Sequence, residues 1–378
     1  MGILKRGISD ILVLISSSFL LLLLGLVTLY GFDAGKNNDG SQFFLKQLVF
    51  SGISISVFFL MFHISYRALK KISTALYFLG IAFLVVVLFF EGIRGTSGWI
   101  DLGFFRLQPV EMVKVVLVLF LASFFVAKRA TFGDIGRIIV SCVLVFALVG
   151  LVLLQPDLGS AIVLLFIWAG MLFVSDMKVK YVFAMIAIAF FGAFSSWFFL
   201  EDYQKDRIFT TIRPEEDALG SGYNVMQSII AVGSGGLFGK GVGSGSQSQL
   251  AFLPESHTDF IFASIVESFG VFGAFFILLL YSILLYRIAL IAMTAGDSFG
   301  FLIASGVFCM FFIQIMINIG MNIGLVPVTG IPLPLLSYGG SSLLATAFAL
   351  GLVANIAYHK RFIASSKERK ILDDSQML

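Results

Sequence analysis

The strongest constraint in this chain is a series of ten apolar runs, each near the roughly 20 residues a helix needs to cross a hydrocarbon core. They lie at approximately 11–32, 44–66, 73–91, 109–127, 138–154, 158–175, 181–200, 258–286, 299–325 and 339–358. Lipid satisfies no backbone hydrogen bonds, so such runs fold as helices. The expected fold class is therefore all-α, a polytopic membrane protein with about ten transmembrane helices and a long extracytoplasmic loop between helices 7 and 8. Residues 1–378 read as one integral membrane domain, with the loop at 201–257 inside it. With 59% hydrophobic and 12% charged residues, the chain has too little polar surface to coat a soluble globule.

Basic residues give the orientation. With the N-terminus inside, 16 of the 25 Lys and Arg fall on the inner side, including Lys5, Arg6, Arg67, Lys70, Lys71, Lys128, Arg129 and Arg137. Positive charge is retained in the cytoplasm, so both termini are expected there. The first apolar run is long enough to remain as a span rather than a cleaved signal. Cys142 and Cys309 both sit inside apolar runs and suggest neither a disulfide framework nor a metal site. The sequence does not indicate a divalent metal, no other cofactor is specified, and no nucleic-acid partner is expected.

Polar groups concentrate at the expected outer boundary. In residues 251–269 a polar loop runs into an apolar segment, with Glu255, His257 and Asp259 close together. Ser256 and Asp259 have the spacing of a capping box that would open the eighth span. That reading leaves unexplained the density of polar groups around it and Glu267, two turns deeper on the same face. The other reading makes Asp259 a general base beside an anionic substrate. Glu111 and Lys114, three apart after Pro109, share a helical face at the shallow end of the fourth span. They form an ion pair that neutralises two entering charges, or they face a polar substrate cavity; the two readings are compatible. Asp157 is placed to cap the sixth span. Asn318 and Asn322 either bond between helices or line the cavity.

Two motif readings are declined. A phosphate-cradling loop would need Gly at 234 and Ser or Thr at 241, where the chain has Ser234 and Gly241. Ser256, His257 and Asp259 are too close in sequence to converge as a hydrolase triad on a helix.

Several stretches resemble the SEDS family of cell-wall polymerases. They are Gln108-Pro-Val-Glu-Met-Val-Lys, Gln155-Pro-Asp-Leu-Gly-Ser, Gly222-Tyr-Asn-Val-Met-Gln-Ser, Gln247-Ser-Gln, Phe252-Leu-Pro-Glu-Ser-His-Thr-Asp-Phe and Pro327-Val-Thr-Gly-Ile-Pro-Leu-Pro-Leu-Leu-Ser-Tyr. They occur in the family's order, and the wording is closer to the elongation branch (RodA) than to the division branch (FtsW). The resemblance implies a glycosyltransferase that polymerises lipid II into peptidoglycan at the outer face of the bacterial inner membrane. It also implies a class B penicillin-binding protein as partner, beside membrane lipids.

On this resemblance the family's essential aspartate falls on Asp259, and its paired acid and base on Glu111 and Lys114. Lys114, Arg94, Arg106 and Lys240 are the expected outer-side cations for the pyrophosphate, with Gln249, His257 and Ser337 as further substrate-facing groups. The family often has a basic residue before Trp99, where this chain has Gly98. A lipid II flippase and a non-catalytic scaffold for the penicillin-binding protein are the alternatives. A flippase needs a polar path through the whole bilayer, whereas the charges here gather at one edge.

Overall fold

The computed structural model describes residues 2–35, 42–90, 98–101, 103, 106–127, 133–175, 178, 181, 221–250 and 252–376. The expected seventh span at 181–200 falls almost entirely outside them, as do 201–220 of the expected loop. The elements, in order, are α1 (Gly2–Gly35), α2 (Phe43–His63), α3 (Tyr66–Val87), β1 (Ile100–Asp101), β2 (Arg106–Leu107), α4 (Pro109–Ala127), α5 (Asp134–Leu153) and α6 (Leu158–Val174). There follow α7 (Ser221–Ser234), α8 (Ser246–Gln249), α9 (Ile261–Met293), α10 (Ser298–Asn322) and α11 (Gly340–Gln376). Eight of these helices are long and apolar enough to cross a membrane, and α6 is a shorter apolar helix of 17 residues.

Burial sorts the helices into a centre and a rim. Two thirds or more of the spanning windows of α4, α10 and α11 are buried, against one third or less for α1, α2, α3, α5 and α9. The three central helices pack on one another; α1, α2, α3, α6 and α9 surround them, and α5 packs on α3 and α6. Exposed side chains on the rim, such as Leu12, Phe19, Phe59, Phe78, Val143 and Phe275, are apolar. Such a surface is stable only against lipid.

The second and third spans are joined by a break of two residues, with Arg67, Lys70 and Lys71 already inside α3. Asn355 of α11 holds this junction by donating to Phe62 O and accepting from Tyr66 N. The expected eighth span needs correction at both ends, because α9 starts at Ile261 and continues to Met293. It is also broken at Gly270 (φ 68°, ψ −161°). The broken backbone is satisfied by the glycine-rich loop: Lys240 N donates to Glu267 O, Gly241 N to Ser268 O, and Val271 N to Gly236 O, at 2.9, 3.0 and 2.9 Å. Non-helical backbone survives at membrane depth only where protein completes its hydrogen bonds. A Cβ at Gly270 would collide with Leu237 O and Gly239 N, so only glycine allows this approach.

Candidate active site at one end of the bundle

The ends of α4, α10 and α11 meet residues 252–260 and 326–339 at one end of the bundle. Residues 254–260 form turns, and α9 begins after Asp259, with Phe260 at its N-cap. The expected capping box at Ser256 and Asp259 does not open the helix, whose N-cap is Phe260, with no side-chain cap bond of its own. Instead, Asn322 Oδ1 accepts from Ala263 N at 2.9 Å, so the start of α9 is satisfied from α10. Asn318 and Asn322 also donate to Asp259 O at 2.9 and 3.0 Å. Both asparagines are fully buried. An unbonded amide there would cost about 1–3 kcal/mol, so these bonds fix the Asp259 backbone firmly.

A second clamp comes from the segment leading into α11. Ser337 Oγ donates to Thr258 O at 2.6 Å and accepts from Leu333 N at 2.8 Å, while Tyr338 N donates to His257 O at 2.9 Å. Gln47 of α2 holds the same segment from behind, donating to Ser337 O and accepting from Gly339 N. Two non-glycine residues, Glu255 and Leu335, sit in left-handed backbone at φ 51° and 69°. Each costs about 1–2 kcal/mol and persists only where surrounding bonds determine it. His257 stacks on Phe43, with centroids 4.1 Å apart, and Tyr338 packs against both rings.

The Asp259 side chain is half-buried, beside Gly330. Gly330 has φ +72°, a conformation that favours glycine, and a Cβ there would stand 3.7 Å from Asp259 Oδ2, in ordinary contact with the carboxylate. Among the described residues, Thr329 Oγ1 and Gln247 Oε1 are buried with no hydrogen-bond partner. Both lie in stretches that carry the family resemblance, but neither side chain has a role assigned from the sequence.

The expected cations divide by environment. Lys114 and Glu111 are 1% and 3% exposed and pair at 2.8 Å, one turn into α4. That helix start is tied to α11 by Ser341 Oγ, which accepts from Gln108 N and donates to Arg106 O. Arg106 is 52% exposed and pairs with Asp101 across the two-stranded hairpin. A hydrogen bond from Gly103 N, and then Arg106, lowers the Asp101 carboxyl below its ordinary value. Burial raises the Tyr338 phenol, while the nearby Arg106 charge opposes that and Asp33 adds to it. Arg106 therefore lies close enough to act on the aromatic cluster.

Lys240 is held differently. Its ammonium reaches Ser234 Oγ, Ser246 Oγ and Glu267 Oε1 at 2.8, 3.1 and 3.1 Å, with its side chain 31% exposed. Glu267, fully buried in α9, also accepts from Gln247 N, Ser248 N and Ser248 Oγ. The sequence showed Glu267 near Asp259 but not that it anchors the glycine-rich loop. Gln249 ends α8; its side chain and all of Arg94 lie outside the described residues. Asp157 caps α6 as expected, accepting from Ser160 N at 2.9 Å. Cys142 and Cys309 are both free.

These features define a class: a multi-pass helical membrane protein with a carboxylate held in a non-helical turn at one end of its bundle. Residues 12–362 match the model of the FtsW/RodA/SpoVE cell cycle protein family, and the chain belongs to that family. It is 38% identical over 370 residues to stage V sporulation protein E of Bacillus subtilis (strain 168), covering 95% of this chain and 99% of that one. It is 41% identical over 295 residues to the peptidoglycan glycosyltransferase MrdB of Escherichia coli (strain K12), covering 77% and 79%. A chain from a solved peptidoglycan synthase complex that coordinates polymerization and crosslinking superimposes with a TM-score of 0.77. The two are 32% identical, with 92% and 97% of the chains covered.

Proposed function

We propose that this protein is a peptidoglycan glycosyltransferase of cell-wall synthesis, polymerising lipid II with Asp259 as general base. The observation that carries the reading is the double clamp on residues 257–259. Asn318 and Asn322 fix the Asp259 carbonyl, and Ser337 fixes that of Thr258. The backbone that carries the carboxylate is then ordered before a reacting group arrives, and such pre-positioning is a source of a general base's rate advantage.

In the proposed step the acceptor's 4-hydroxyl oxygen attacks the anomeric carbon of the donor sugar. Asp259 takes the hydroxyl proton as the new glycosidic bond forms. The bond from the anomeric carbon to the pyrophosphate oxygen breaks, and undecaprenyl pyrophosphate leaves with the electron pair. This leaving group needs charge stabilisation rather than a proton. Lys114, Arg106, Arg94 and Lys240 are the proposed sources, and Glu111 sets the position of the Lys114 ammonium. His257, Ser337 and Gln249 are proposed to shape the pocket. The chain works as one membrane unit with both termini in the cytoplasm, so Asp259 faces outward. The crosslinking in the related synthase complex supports a transpeptidase partner, proposed to be a class B penicillin-binding protein.

The test is purified full-length protein with labelled lipid II. Glycan chains are expected from the parent and none from Asp259→Ala, whose thermal stability should stay within roughly 1 kcal/mol of the parent. Translocation without chains would indicate a flippase, and neither activity a scaffold; either result overturns the reading.

A further inference from the structure

The first two spans carry none of the stretches that resemble the family, yet α2 reaches the Asp259 turn with two side chains. Phe43 and Gln47 stand four residues apart, on one face at the start of that helix. The Phe43 ring stacks on His257, and Gln47 grips the segment that leads into α11. Asp33 of α1 fixes where this face begins, accepting from Phe43 N and Phe44 N at 3.2 and 2.9 Å.

Gln47 is 1% exposed, and a buried amide in a membrane-spanning helix is stable only when both of its ends are bonded. Here Nε2 donates to Ser337 O and Oε1 accepts from Gly339 N, each at 3.2 Å. The two bonds bracket Tyr338, whose own N–H goes to His257 O. The backbone they hold is not helical, since Leu335 is left-handed and α11 begins only at Gly340. A methionine at position 47 would satisfy neither backbone group, and an ionised side chain only one of them. The residue held by its carbonyl is also the one whose hydroxyl fixes Thr258 O, so Gln47 sets the position of the second clamp on the Asp259 turn.

The amide is not what keeps α2 and α11 together. Further along the pair, Gly351 lies so close to α2 that a Cβ would meet Phe58 O at 2.7 Å. Asn355 makes an equivalent double bond there, to Phe62 O and Tyr66 N.

We infer that Gln47 is a positioning residue for the proposed transfer, acting through Ser337 and Tyr338 on the turn that carries Asp259. The inference rests on the reading of Asp259 as the base. Gln47 is buried out of reach of substrate, and the cations proposed to hold the pyrophosphate sit on other elements. Its loss should therefore slow the step and leave KM nearly unchanged.

The experiment measures Tm, and kcat and KM for labelled lipid II, on the purified full chain. Gln47→Met should lower kcat tenfold or more with KM within about threefold of the parent, because a displacement of about 1 Å at a reacting centre costs on the order of a hundredfold. Asn355→Leu removes a double bond of the same kind from the far end of the helix pair; Asn355→Ser serves if the leucine is not tolerated. It should lower Tm comparably and keep kcat within about twofold. Should Gln47→Met not fold, Gln47→Asn, whose amide is one methylene too short to hold both groups, should show the same split with a smaller fall in kcat. A Gln47→Met with the parent's kcat, an equal fall in the Asn355 variant, or position-47 variants that never fold overturn the inference. Asp259→Ala measured alongside separates the two failures. Normal polymerisation by that variant would remove the base on which the inference rests, whereas an inactive Asp259→Ala beside a fully active Gln47→Met would remove Gln47 alone.

Discussion

The attachment of the glycine-rich loop to α9 gives a prediction whose size follows from the geometry. Glu267 is fully buried and takes three bonds from the loop at Gln247 and Ser248, plus one from Lys240. A bond to a charged acceptor contributes about 1.5–3 kcal/mol. Glu267→Gln keeps one acceptor oxygen but turns an amide N–H₂ toward groups that are themselves donors. A loss of about 3 kcal/mol in loop docking is expected, the equivalent of one or two such bonds.

Lys240→Met is predicted to cost much less. The lysine side chain is 31% exposed, so water screens the pair, and the three loop bonds to the carboxylate remain. About 1 kcal/mol or less is expected. Hydrogen exchange of the amides from Ser244 to Leu250, followed by mass spectrometry on the full chain, measures both. Glu267→Gln should speed exchange there about a hundredfold, and Lys240→Met about fivefold or less. If Lys240→Met loosened the loop as much as Glu267→Gln, the ion pair rather than the loop bonds would be the anchor. Unchanged exchange in Glu267→Gln would refute the anchor altogether.

Asn322→Ala should cost about 2–4 kcal/mol, because Ala263 N and Asp259 O each lose a buried partner. Polymerisation should fall even at temperatures where the variant remains folded, which a lipid II assay beside a melting curve will show. Lys114→Met should destabilise by about 3–5 kcal/mol by stranding the buried Glu111 carboxylate, and the double variant Glu111→Gln/Lys114→Met should recover most of that. Glycan synthesis should remain lost in the double variant; its return together with stability would remove the pair from the site. In the 100–107 hairpin, the lowered Asp101 carboxyl contributes stability that is fully present above its ordinary value of 3.8 and is lost as pH falls through the lower folded value. Exchange at Gly103 should therefore accelerate only in strong acid, with the transition moving up toward 3.8 in Arg106→Ala.

What the sequence made legible was whatever depends on local periodicity or on near neighbours. Among the described residues the apolar runs gave the helices, Asp157 gave the α6 cap, and the spacing of Glu111 and Lys114 gave their pairing. Partners distant in the chain were not legible. The partner of Lys240 lies 27 residues away across a turn, and Gln47 acts on a segment 290 residues later. The two asparagines have the four-residue spacing of a helical pair, but nothing local shows that they bond the backbone of another segment rather than another helix. The break at Gly270 was hidden because glycine inside an apolar run looks like any small packing residue. Its conformation depends on a loop that arrives from outside the helix.

The delayed start of α9 bears directly on the chemistry. Had the helix opened at residue 258, the Asp259 carbonyl would have faced up the helix axis and bonded within it. Its side chain would then have been drawn into capping the first turn. Because the turn persists to Phe260, the Asp259 carbonyl is available to Asn318 and Asn322. The buried N–H of Ala263, in the first turn of α9, is bonded by Asn322. The same residue thus satisfies the start of α9 and fixes the Asp259 backbone. The ordering cost of the turn is met by buried amides on α10, and the carboxylate is placed beside Gly330. Replacing those amides would therefore disturb the acid's position before its charge, and the asparagines belong to the site although neither is assigned contact with the substrate.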